Sequence, residues 1–179
     1  DVVEPDGQPN AAGVPIGTLQ SNIGYHLALA YYLRGEWARA AEVAQREMTA
    51  ANNDDRRVSM AHWLYLALRR SGRDADAARA VSALRRPLHV VENQSYEQLI
   101  RLYLGERSSA ALASQLAEGA ASSSDASLAY GVANWHWVSG RHDEAVRQWR
   151  ALVASGQWGA FGTIAAEADL ARLRHETAR

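Results

Sequence analysis

Six histidines are the first residues to weigh for chemistry: His26, His62, His89, His136, His142 and His175. A zinc centre needs three or four ligands converging within about 2 Å of the metal. These six are scattered with no H-x-x-x-H pair, so packing or surface roles are expected and no metal or other cofactor is called for. A nucleophilic serine would want a G-x-S-x-G elbow, which is absent, and Ser122 to Ser124 fall in a connection of small residues. The chain has no lysine, which removes phosphate loops and Schiff-base chemistry that depend on one, and no G-x-G-x-x-G run occurs. It also has no cysteine, which removes thiol nucleophiles, thiolate metal sites and disulfides. The paired acids Asp54-Asp55 and Asp143-Glu144 stand where helices begin, and capping is the role expected of them. No catalytic set assembles, so a non-enzymatic role is expected.

Six tryptophans and seven tyrosines remain as candidate recognition groups, and the elements that hold them follow from the rest of the chain. With 179 residues and 47% hydrophobic content, the chain makes one compact domain or a short repeat array. A net charge of −1 offers no field for a polyanion, so nucleic acid is not an expected partner. No apolar run approaches the ~20 residues of a membrane span. The first residue is Asp1, read as a processed or fragment terminus, with a periplasmic or exported location favoured over a cytoplasmic one.

Residues 1–17 hold Pro5, Pro9 and Pro15 without apolar periodicity, and read as an extended arm. Helical period begins at Thr18, with Ile23, Leu27, Ala30 and Tyr31 on one face, breaks at Arg34-Gly35, and resumes from Trp37 to Met48. A second couplet runs through Leu64, Ala67 and Leu68 to Ser71-Gly72, then through Ala77, Ala78, Val81 and Leu84 until Pro87 ends it. Each couplet turns at a glycine with an alanine five residues later: Gly35 and Ala40, Gly72 and Ala77, Gly105 and Ala110, Gly140 and Ala145. The glycine suits a left-handed helix end, and the alanine lets the second helix approach the first closely.

These residues resemble the tetratricopeptide repeat. The first unit carries Leu27-Ala28, Tyr31, Gly35-Glu36-Trp37 and Ala40; the fourth carries Val132-Ala133, Gly140-Arg141, Ala145 and Trp149. The second keeps Leu64, Tyr65, Leu68, Gly72 and Ala77, the third little beyond Gly105 and Ala110, and the proline that ends each family repeat is missing. The resemblance implies an all-α fold, a right-handed α-solenoid of antiparallel helix pairs in a single domain over 18–179, with repeats at about 21–53, 54–88, 91–121 and 125–156. A capping helix over about 159–176 follows, with Glu167, Asp169, Arg172 and Arg174 outward and Ile164, Ala168 and Leu170-Ala171 inward. The run YEQLIRLYLGE with the serine-rich connection after it is also similar to bacterial envelope lipoproteins built from such repeats.

In the family the first helix of each repeat lines a concave groove, with Trp37, Tyr31 and Trp149 at core positions. Carried across, that face selects Asn22, Tyr25, Leu29 and Tyr32, then His62, Leu66, Arg69 and Arg70, then Leu99 and Tyr103, then Tyr130, Asn134 and Trp137. Rings, amides and arginine suit a protein or peptide partner. The family's clamp for acidic C-terminal peptides uses lysines, and this chain has none. The alternative is a self-assembling protein whose N-terminal arm docks on a neighbouring copy.

Overall fold

The structure is a computed structural model that describes residue 4, residues 17–118 and residues 123–177. The arm expected over 1–17 therefore lies outside the described residues except at Glu4 and Gly17. There, the Glu4 carbonyl accepts from the Leu19 amide at 2.9 Å.

The fold is all-α, and no extended strand occurs among the described residues. Nine helices are seen there: α1 Leu19–Leu33, α2 Trp37–Ala50, α3 Asp54–Arg70, α4 Asp74–Ser82, α5 Gln94–Tyr103, α6 Ser109–Glu118, α7 Ser123–Val138, α8 His142–Ala154 and α9 Phe161–Thr177. Local chemistry sets their starts. Thr18 and Ser21 form a reciprocal box at α1, the Thr18 hydroxyl accepting from the Ser21 amide at 3.1 Å and the Ser21 hydroxyl from the Thr18 amide at 2.7 Å. The Asn53 side chain accepts from the Arg56 amide at 2.8 Å to open α3. The four turn glycines, and Gly156 after α8, all have positive φ between 72° and 81°, the conformation in which a Cβ is strained.

The chain divides into two compact units, Asp1–Ile100 and Arg101–Arg179, with the division inside α5, where the sequence leads one to expect a single repeat domain. In the first unit α1 packs on α2, α2 on α3 and α3 on α4. The central α3 is buried along most of its length: Val58, Met60, Ala61, Leu66 and Ala67 are each 0% exposed, which fits a helix enclosed by neighbours. Ala40 and Ala77 are buried as expected. The half-buried Arg56 of α3 ties the helices together, reaching the Glu47 carboxylate of α2 at 3.1 Å and the Ser21 carbonyl of α1. In the second unit α7 packs on α8 and α9, α8 on α9, and α6 on α7, around Leu128, Ala145 and Trp149.

Several details differ from the sequence reading. The face of α1 carrying Ile23, Leu27 and Ala30 is the exposed one, while Gly24, Ala28, Leu29 and Tyr32 are buried, because α1 is apolar nearly all round and either face could have been chosen. Tyr32, not Tyr31, is the core ring; Tyr31 is half-buried under the Arg39 guanidinium, 5.6 Å away. Helix α4 stops at Ser82, well before Pro87, as Leu84 turns in to a buried site and Arg86 reaches back to Asp54 at 2.5 Å. Ala110 is exposed and Leu112 is buried in its stead. The cause is a longer third turn. Glu36, Arg73 and Arg141 cap the second helix directly after the glycine, whereas α6 starts behind Ser108, whose carbonyl accepts from Leu112. Ser123 and Ser124 belong to the first turn of α7, not to a connection. Asp169, expected outward on α9, is 2% exposed.

The acids Asp54 and Asp55 sit in the first turn of α3, and both carboxylates reach the following loop. Asp55 accepts from the amides of Glu92 and Asn93 at 2.8 Å and of Val91 at 3.0 Å, and so pins the loop that leads into α5. Asp54 takes Arg86, Arg57 and the His89 amide. The Arg86 guanidinium holds its carboxyl well below the usual carboxylate range, with the His89 amide and Arg57 assisting.

Candidate binding surfaces

In the first unit Tyr25, Tyr32 and His62, expected to line a groove, pack against other aromatic rings of the unit. The Tyr25 hydroxyl lies 3.0 Å from that of Tyr96 and accepts from the Trp63 indole at 3.4 Å. Tyr32 meets Trp63 edge-on at 5.1 Å and Trp37 at 4.9 Å, and His62 stands 5.1 Å from the Tyr96 ring. Such edge-to-face pairs add about 0.5–1.5 kcal/mol each beyond the area they bury. Burial raises the Tyr25 hydroxyl well above its ordinary pKa, and it lowers His62 from 6.5 to about 3, so that the imidazole is neutral. Arg69 is engaged with Asp74 at 2.9 Å and the Tyr65 hydroxyl at 2.7 Å.

In the second unit Tyr130 and Asn134 come together, both 0% exposed. The Tyr130 hydroxyl donates to Asp169 at 2.8 Å and accepts from the Asn134 amide at 3.0 Å, while Arg172 holds the other Asp169 oxygen at 2.6 Å. Trp137 is half-buried, stacked on His142 at 4.3 Å and tilted against Trp149 at 5.2 Å. Leu29, Tyr32, His62, Tyr130 and Asn134 therefore face neighbouring helices of their own unit, and Asn22, Tyr25, Arg69 and Trp137 keep partial exposure.

Two open grooves are seen among the described residues. In the first unit a groove of about 650 Å³ runs between α2 and α4 over α3, walled by Ala38, Ala41, Glu42, Gln45 and Met48 on one side and Arg73, Asp76, Arg79, Ala80 and Ala83 on the other, with Leu64 and Leu68 as floor. In the second unit a groove of about 430 Å³ occupies the corresponding place between α6 and α8 over α7, with Ala113 and Leu116 facing Glu144, Arg147, Gln148 and Ala151 above Ala126, Ala129 and Val132. The second-helix wall uses the same register in both: four, seven, eight and eleven residues after the glycine come Asp76, Arg79, Ala80 and Ala83 in one, and Glu144, Arg147, Gln148 and Ala151 in the other. The acid and arginine pair within each wall, Asp76 with Arg79 and Glu144 with Arg147. The sequence signal for these grooves was the recurring acid-x-x-Arg at a fixed offset from the turn glycine.

Among the described residues no group of histidines and carboxylates is placed to hold a metal ion, and no helix is long and apolar enough to cross a membrane. No protein-family model, curated protein or solved structure gives a significant match to this chain.

Proposed function

We propose that this chain is a non-catalytic protein-binding scaffold, a right-handed solenoid of antiparallel, tetratricopeptide-like helix pairs whose second helices bound docking grooves for segments of partner proteins. The observation that carries this reading is the recurrence of a groove at the same four register positions in two separate units. Alanines on the walls leave room for a segment to approach the backbone, and an ion-paired rim over a small-residue interior suits helix-in-groove recognition. The partly exposed Asn22, Tyr25, Arg69 and Trp137 remain as contacts on the first-helix face. Photo-crosslinking residues placed at Gln45 and Gln148, each in a groove wall, should capture a defined protein partner from the native extract, while the same group at Ala78 or Glu167 should not. Equal labelling at all four positions would overturn the reading.

A further inference from the structure

The turn between α7 and α8 is built unlike the three glycine turns before it. At Gly35, Gly72 and Gly105 the neighbouring arginines are held by carboxylates: Arg34 and Arg39 by Glu36, Arg73 by Asp76 and Arg101 by Glu106. At Gly140 the next residue is Arg141, and its acceptor is an imidazole, because the Arg141 Nε–H donates to His136 Nδ1 at 2.7 Å. The same guanidinium lies over the Trp135 ring, 4.5 Å from its centre, and the His136 ring meets that indole edge-on at 5.3 Å. A planar guanidinium is well suited to such a face. Among the described residues no carboxylate pairs with Arg141, so His136 is what orients it.

The choice of acceptor has a chemical consequence. A carboxylate goes on accepting well into acid, whereas an imidazole loses its acceptor when it is protonated near neutral pH. Donation into Nδ1 requires that the proton of the neutral ring sit on Nε2. Once Nδ1 also carries a proton, two donors and two positive charges face each other at bonding distance. Arg141 is exposed and its side chain can turn into water, whereas His136 and Trp135 are half-buried on α7 and stay. We propose that protonation of His136 releases the Arg141 guanidinium and bares the Trp135 ring, so that the α7–α8 turn is an acid-operated cover over a tryptophan. The charged groups that act on His136 come from the turn and α8: Arg141 and Arg147 oppose its protonation and Glu144 favours it. On α9 the Asp169 carboxylate is bonded to Tyr130 and Arg172, and α6 carries no charged residue before Glu118. Burial first, and then Arg141, hold the His136 pKa below the ordinary histidine value, so the cover is closed at neutral pH and opens in acid.

Nuclear magnetic resonance on the full chain, with isotope-labelled histidine and tryptophan, tests this between about pH 7.5 and about pH 5. At neutral pH the His136 nitrogens should report the Nε2–H form. A soluble paramagnetic relaxation agent reads the exposure of the Trp135 ring, and its effect should rise severalfold on acidification, with the midpoint of His136's own titration. In His136→Gln, whose amide oxygen accepts from Arg141 but takes up no proton, the indole should stay covered throughout. Arg141→Gln should leave it uncovered at both ends and raise the His136 midpoint, since a neighbouring positive charge is gone. Melting curves at neutral pH check that both variants fold. Trp135 exposure that does not change in the wild type overturns the proposal, and so does an equal rise in His136→Gln, which places the acid response in another group. The wild-type titration decides without any variant: midpoints for His136 and Trp135 that do not coincide overturn it as well.

Discussion

The Tyr130 hydroxyl donates to the Asp169 carboxylate at 2.8 Å with both side chains buried, and this bond joins α7 to α9 across 39 residues of sequence. Asn134 and Arg172 complete the network, so each polar atom in it depends on the others. Thus α9 supplies the partner of the Tyr130 hydroxyl.

Removing Asp169 should cost more than removing the hydroxyl it accepts from. Asp169→Ala strands the buried Tyr130 donor and removes the carboxylate partner of the part-exposed Arg172, for which about 3 kcal/mol is expected. Tyr130→Phe loses two bonds, the one it donates to Asp169 and the one it accepts from Asn134, while Arg172 still holds the other carboxylate oxygen, for about 1–3 kcal/mol. In urea titrations the double variant should lose less than the sum of the two. Strict additivity would mean the network does not act as a unit.

Gly162→Ala should destabilise the second unit. A Cβ there falls on the Ala126 carbonyl of α7, which is backbone and cannot swing aside. The helix-propensity gain of up to about 1 kcal/mol is outweighed by overpacking of about 1–3 kcal/mol or more. Gly159→Ala meets nothing within 4 Å and serves as the neutral control. Thermal midpoints that move equally for both would remove the close approach of α7 and α9.

Helix existence was legible in the sequence because turn glycines and apolar period are local signals, and the first, second and fourth couplets obey them through Ala40, Ala77 and Ala145. Facing was not. In α1 the apolar residues cover two sides, so periodicity offers Ile23 and Leu27 as readily as Ala28 and Tyr32, and only packing against α2 and α3 decides. The roles of Asp54 and Asp55 depend on a loop more than thirty residues away, a relationship that no local pattern encodes.

The third couplet makes the register measurable. If its second helix begins two residues late, Leu112→Ala should cost about 2–5 kcal/mol as a core truncation, whereas Ala110→Leu, pointing outward, should be nearly silent. Ala145→Leu, at the corresponding place in the fourth couplet, should cost about 1–3 kcal/mol through overpacking. A strong loss from Ala110→Leu would restore the uniform five-residue offset.

Acid should weaken the first unit through His62 at a higher pH than through Asp54. The unfolded chain takes up a proton on histidine near 6.5, whereas the folded chain keeps His62 neutral down to about 3, because burial beside Trp63 and Tyr96 disfavours the charged ring. Between those values the unfolded state binds more protons, so stability falls as pH falls, and by pH 5 the loss reaches about 2 kcal/mol. Asp54 acts in the same direction in a lower window: its carboxyl is held well below the usual range by Arg86, so its contribution is complete above an ordinary carboxylate pKa and fades only under stronger acid. Urea midpoints at pH 8 and pH 5 separate the two. His62→Phe keeps a ring against Trp63 and Tyr96 but cannot take up the proton, so its stability should change between these pH values by about 2 kcal/mol less than the wild type. An identical drop in the variant would place the acid sensitivity elsewhere, His136 being the next group to test, since burial and Arg141 also lower its pKa.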